Sequence, residues 1–141
     1  MSNLSCFMRK NVKESDIEEY VASKRFVDED GKPVKWQLKC VPTSLDEQIR
    51  KDCTKVTTNS RGQRTQDFDT DKYGEMLSVA CTVYPNLNDA ALQDDWGVKS
   101  GGELLKAMLS EPGEYNEYKL RVMEICGYNA SMEELVNEAK N

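Results

Sequence analysis

Apolar and polar positions change their spacing along this chain, and the change divides it. Val34, Trp36, Leu38 and Cys40 alternate with Lys35, Gln37 and Lys39, which predicts a strand with one apolar face. The stretch from about Tyr20 to Val27 is β-branched and aromatic, but Lys24 shares a face with Phe26 and blurs the alternation. Between them Asp28-Glu29-Asp30-Gly31-Lys32 supplies a turn, with Gly31 free to take a positive φ. A β-hairpin over about residues 20–40 follows. Pro33, which has no amide donor, belongs at a strand start or an edge. A lone hairpin is marginal in water, so the Trp36 face is expected to pack on helices.

After Pro42 the spacing is helical. Ser44-Leu45-Asp46-Glu47 reads as a capping box, followed by a stripe of Leu45, Ile49, Cys53 and Val56. Thr57 to Gln63 is a polar run expected to form a loop. Asp69 and Asp71 suit a helix N-terminus, and Tyr73, Met76, Leu77, Ala80 and Tyr84 follow at helical spacing up to Pro85. A short helix from about Asn88 to Trp96 stops at Gly97. Ser100-Gly101-Gly102-Glu103 is a second capping box, and Pro112-Gly113 a further break. Tyr115, Tyr118, Val122 and Ile125 or Cys126 mark a helix ended by Gly127. Ser131-Met132-Glu133-Glu134 is a third capping box, leading into Leu135, Val136 and Ala139.

The 141 residues, 38% apolar and 31% charged, fit one domain with one packed core. Neither an internal repeat nor a domain linker stands out. The expected fold is therefore α+β and predominantly α-helical: an N-terminal hairpin (about 20–40) packed on a bundle of five or six short helices. Residues 1–141 form a single domain, with 1–12 loosely ordered, Leu4, Phe7 and Met8 able to tuck against the body, and 57–66 a flexible loop.

Net charge is -6 and unevenly spread. Up to Gln66 there are 13 lysines and arginines against 10 acids; beyond it there are 6 against 15. An acidic surface argues against nucleic acid as a partner. Lys51, Lys55, Arg61 and Arg64 surround the polar run, but no aromatic is interleaved to stack on bases. The chain has no histidine, which removes Ser-His-Asp and Cys-His catalysis and histidine-ligated metals. Its five cysteines form no CxxC pair and read as small core hydrophobes in a reducing cytoplasm. The longest apolar-leaning stretch, Met76 to Tyr84, is far short of a membrane span.

Asp67-Phe68-Asp69-Thr70-Asp71 has the spacing of a calcium loop, but Lys72 and Ser78 stand where that loop needs glycine and glutamate. Gly101-Gly102 after Ser100 is a helix N-cap rather than a phosphate cradle. Adjacent acids such as Asp94-Asp95 point apart on a helix. No catalytic, cofactor-binding or metal residue emerges, and a non-enzyme is expected. One segment leans toward a protein partner. Leu104, Leu105, Met108 and Leu109 make a short helix apolar on nearly every face, with Trp96 upstream and Tyr115 and Tyr118 downstream. Core burial is the competing explanation.

Several strings, taken in order, resemble the XkdN-like tail assembly chaperone family of tailed phages and prophages in Gram-positive bacteria. They are Ser23-Lys24-Arg25-Phe26, Asp30-Gly31-Lys32-Pro33-Val34-Lys35-Trp36, Asp69-Thr70-Asp71-Lys72-Tyr73, Tyr84-Pro85-Asn86-Leu87, Leu92-Gln93-Asp94-Asp95-Trp96-Gly97-Val98, Pro112-Gly113-Glu114-Tyr115 and Glu138-Ala139-Lys140-Asn141. The resemblance implies a non-enzymatic factor of the host cytoplasm. Such a factor holds the aggregation-prone tape measure protein soluble while tail tube subunits polymerise, and it is absent from the finished virion. Self-association is a further expectation, without a set stoichiometry. The alternatives are a structural tail or neck component and a small phage regulator. The regulator would need a recognition helix with basic or amide side chains, whereas the C-terminal helices here are acidic.

The resemblance also implies two product lengths, the longer made by a ribosomal frameshift and able to reach the tail tube protein. Ala139-Lys140-Asn141 admits the codons GCA-AAA-AAY, whose slippery heptamer lets both tRNAs re-pair one base back. The gene is expected to carry that codon set and an open frame beyond it; sequencing it checks both, and any other set at 139–141 sinks the idea.

Overall fold

Trp36 and Leu38 are both buried, so the face of the hairpin that alternation marked as apolar is the one that meets the helices. The computed structural model describes residues 3–128. In chain order its elements are β1 (Glu18–Tyr20), β2 (Trp36–Leu38), α1 (Thr43–Asp52), β3 (Thr54–Thr58), β4 (Arg64–Phe68), α2 (Thr70–Cys81), β5 (Thr82–Tyr84), α3 (Ala90–Trp96), α4 (Gly101–Met108) and α5 (Pro112–Ile125). Two 3-10 turns, Asn3–Phe7 and Arg9–Asn11, precede them.

β1 and β2 pair antiparallel with Tyr20 opposite Trp36 and Glu18 opposite Leu38, and β5 adds to the other edge of β2. The hairpin is real but interrupted. Pairing resumes only at the tip, where Val34 N donates to Phe26 O at 2.8 Å and Asp28 N to Lys32 O at 2.8 Å. Asp28 Oδ1 accepts from Asp30 N and Lys32 N, and Gly31 takes φ 78°, so the turn forms where expected. Between base and tip, Ala22 and Ser23 leave the sheet for the interior, which is why the first strand does not run to Val27.

The fold is mixed, with five α-helices among the described residues and two small antiparallel sheets, rather than predominantly helical. The region after Pro42, expected to be helices with a flexible loop at 57–66, differs in two places. Residues 57–66 are not a loose loop but the end of a second hairpin, β3 against β4, with Thr57 opposite Thr65. Threonine hydroxyls of that pair lie 3.0 Å apart, and Asn59 Oδ1 closes the turn by accepting from Arg61 N and Gln63 N. Val56, assigned to a helical stripe, is on β3 and exposed. In the second place Pro85 ends β5 rather than α2, because the chain leaves the helix at Cys81. Leu4, Phe7 and Met8 are exposed rather than tucked against the body.

Local signals hold elsewhere. Asp69 caps α2 by accepting from Lys72 N, Ser100 caps α4 by accepting from Glu103 N, and Gly97 and Gly127 take the positive φ that ends α3 and α5. Pro112 is the first residue of α5. The Ser44 capping box does not form, since α1 begins at Thr43 with Pro42 as its cap. The helix predicted from Ser131 lies outside the described residues. α2 is the central helix, packed on α1, α4 and α5.

Asp46 of α1, read in the sequence only as part of a capping box, is buried against α2. The Tyr73 hydroxyl donates to its Oδ1; Arg50 Nε at 3.0 Å and the Tyr128 hydroxyl at 2.9 Å donate to Oδ2. Arg50 also stands over the rings of Tyr73 and Tyr128, at 4.6 and 5.6 Å from their centroids. Burial pushes the Asp46 carboxyl up, but the hydrogen bonds from Tyr73, Arg50 and Tyr128 outweigh it and hold the group below its usual range. α4 approaches α2 through glycine: a Cβ on Gly101 would lie 2.8 Å from Val79 Cγ1 and 3.1 Å from Asn88 Oδ1.

Gly101→Ala is therefore expected to cost about 1–3 kcal/mol in urea unfolding. Gly113→Ala, whose Cβ meets nothing within 4 Å, should stay within about 0.5 kcal/mol of the parent. Because Asp46 titrates lower folded than unfolded, its contribution is present above the unfolded value of about 4 and is lost as pH falls below it. Asp46→Asn should cost about 1–3 kcal/mol at pH 7, and the gap from the parent should narrow in unfolding measurements carried below about pH 4.

Candidate functional site

The interruption of the first hairpin leaves a groove between its tip and β5. Arg25, Phe26, Val27, Val34, Trp36, Tyr84, Pro85 and Met108 line it, around a volume of about 370 Å³. Its floor is Trp36 and Met108, both part of the core, and its rim is Val27 and Tyr84, each more than half exposed. Phe26 stands between floor and rim, 6.0 Å from the Trp36 ring and 6.2 Å from that of Trp96 at the end of α3. Trp96 is 38% exposed and extends the aromatic surface beyond the groove.

This surface is continuous with the interior. Trp36 meets Tyr118 edge-on, with centroids 5.5 Å apart and planes at 70°, and Tyr118 in turn meets Tyr20 at 6.0 Å. Arg25 holds the tip in place: its Nη2 donates to the Met108 carbonyl at 3.1 Å and to Glu114 Oε1 at 2.8 Å. Hydrogen bonds from Ser23 and Arg25 keep the Glu114 carboxyl below the usual carboxylate range. Arg25 is the one charged residue of the lining, and it is already paired. Such a surface can take up apolar and aromatic side chains of another protein.

The structure corrects most of the predicted contact set. Leu104, Leu105, Leu109 and Tyr118 are at most 2% exposed and belong to the core of this chain. The all-round apolar character of α4 is explained by its own neighbours, α2 and α3. Met108 reaches the groove floor and Trp96 its outer edge. Tyr115 is half-buried on α5 with Lys119 Nζ 4.5 Å over its ring, away from the groove lining. Phe26, Val27, Tyr84 and Pro85 were missed. Their apolar stretches read in sequence as one strand and one helix face, and only tertiary pairing of β5 with β2 brings the two together.

Comparison with known proteins agrees along nearly the whole length. Residues 4–140 match the family described as phage XkdN-like tail assembly chaperone protein. The chain is 32% identical over 140 residues to the protein YqbN of Bacillus subtilis strain 168, covering 99% of this chain and 93% of that one. It is 31% identical over 140 residues to the phage-like element PBSX protein XkdN of the same organism, covering 99% and 94%. The crystal structure of YqbN superposes with a TM-score of 0.76 at 27% identity, over 90% of this chain and 98% of that one. The chain belongs to the XkdN-like family of phage tail assembly chaperones.

Proposed function

We propose that this protein binds the tape measure protein of its phage or prophage and keeps it soluble while the tail tube assembles. The family's role is non-enzymatic and its partners are tail proteins. Among the described residues no helix is long and apolar enough to cross a membrane. In this reading the chain acts in the host cytoplasm and is left out of the mature virion.

The observation that carries the reading is the aromatic groove. Val27, Tyr84 and Trp96 keep large apolar surface in water on a chain that is 31% charged. Exposed rings grouped around a depression suit transient capture of apolar side chains from an unassembled protein. The contact set of this proposal is accordingly Trp96 with Phe26, Val27, Tyr84 and Pro85, and Met108 beneath them. Tyr115 lies outside it.

Co-expression tests the proposal. The intact chain should move the tape measure protein from the insoluble to the soluble fraction. Tyr84→Asp and Trp96→Asp should each weaken that binding by about 2 kcal/mol, about thirtyfold, with thermal unfolding of the chain itself nearly unchanged. Retention of full solubilising activity by the double variant would place the interface elsewhere. Mass spectrometry of purified particles should detect no copy of this chain; a stoichiometric amount would favour a structural tail component.

A further inference from the structure

Three of the five cysteines, far apart in sequence, meet at one place. Cys126 caps the C-terminus of α5 where that helix passes the end of α2, and its Sγ lies 3.6 Å from the Sγ of Cys81, the last residue of α2. Cys40, on the chain leaving β2, lines a small cavity with Cys126, Asp46 and Tyr128, of about 100 Å³. The other two thiols are placed differently. Cys53 is packed against Met76, and Cys6 is exposed at the N-terminal turn.

We propose that Cys126 is a site of oxidation by a small peroxide, and that Cys81 resolves it into an intrachain disulfide tying the end of α5 to the end of α2. The geometry requires little. A disulfide needs the sulfurs at about 2.05 Å, so closing the present gap takes about 1.5 Å of movement at a helix terminus. The cavity beside Cys126 has room for a peroxide molecule. The environment also divides the labour. The contact between the two sulfurs, with Cys40 also close by, holds the Cys126 thiol below its usual value against burial. Cys81 is fully buried, whereas Cys126 is only partly so and lines the cavity, which makes Cys126 the thiol that a peroxide meets first and Cys81 the one behind it. Cys40 is less suited to resolve the intermediate, since its thiol donates to the Val41 carbonyl at 3.3 Å.

The chemistry balances in two steps. The Cys126 thiolate attacks one oxygen of hydrogen peroxide; an S–O bond forms, the O–O bond breaks, and hydroxide leaves to take up a proton as water. The Cys81 sulfur then attacks the Cys126 sulfenic acid. The S–S bond forms, the S–O bond breaks, and the departing hydroxide leaves as water with the Cys81 proton. Two thiols lose two electrons and the peroxide gains them.

The test uses the full chain, treated with hydrogen peroxide at neutral pH, alkylated at intervals and mapped by mass spectrometry without reduction. A peptide linking Cys81 to Cys126 should accumulate first, with the mass of two hydrogens lost. Cys6, the exposed internal standard, should react about tenfold more slowly. In Cys81→Ala, reaction at Cys126 should stop at a sulfenic acid captured by dimedone. Oxidation of Cys6 at an equal or greater rate overturns the proposal, as does a product dominated by Cys40–Cys126 or by Cys6-bridged dimers. The parent chain alone decides these outcomes, whether or not the variant folds.

Discussion

Burial of the Trp36 ring is the constraint on which the rest of the structure rests. Strands of three residues supply too few ladder hydrogen bonds to hold a sheet, and two-stranded pairings are marginal without a packed face. Trp36 and Leu38 remove nearly all of their side-chain surface from water, worth about 1.5–3 kcal/mol each. The Trp36 ring meets Tyr118 of α5 edge-on, and the Tyr118 hydroxyl bonds to Thr82 of β5. β5 pairs in turn with β2, so strand, helix and strand close a circuit through one aromatic contact. Arg121 of α5 reinforces it by pairing with Glu18 of β1.

The groove follows from the same arrangement. Ala22 and Ser23 turn into the interior, so the hairpin cannot continue as a flat ribbon and its tip leaves a groove beside β5. Phe26 and Val27 then face Tyr84 and Pro85 across a space floored by Trp36 and Met108. Arg25 fixes the width by tying the tip to the Met108 carbonyl and Glu114. A chaperone needs apolar surface in water without losing its own fold. Here one ring serves the core on one side and the groove on the other.

The parts of this fold that could be read in advance are those whose energetics are local. Asp69, Ser100, Gly97 and Gly127 act within one helical turn, and the Asp28–Lys32 turn closes through its own aspartate. The β3–β4 hairpin was illegible for the opposite reason: nearly all of it is solvated, so no apolar alternation marks its strands. Its pairing comes from threonine side chains and an asparagine turn, which resemble a polar loop when read in one dimension. Asp46 shows a different failure. Its place in the chain suggests no more than a helix start, because its partners Tyr73 and Tyr128 lie 27 and 82 residues away.

The sequence by itself determined that α4 must be covered, that α2 and α4 begin after Asp69 and Ser100, that α3 and α5 stop at Gly97 and Gly127, and, through its ordered motifs, the family to which the chain belongs. It could not determine what covers α4, because apolar burial has no direction and a helix of its own chain satisfies Leu104 and Leu105 as well as a partner would. Only the tertiary structure decided that. By sending those leucines into the core it moved the candidate contact surface to Phe26, Val27, Tyr84 and Trp96, residues that become neighbours only when β5 pairs with β2 and the hairpin tip folds over Trp36.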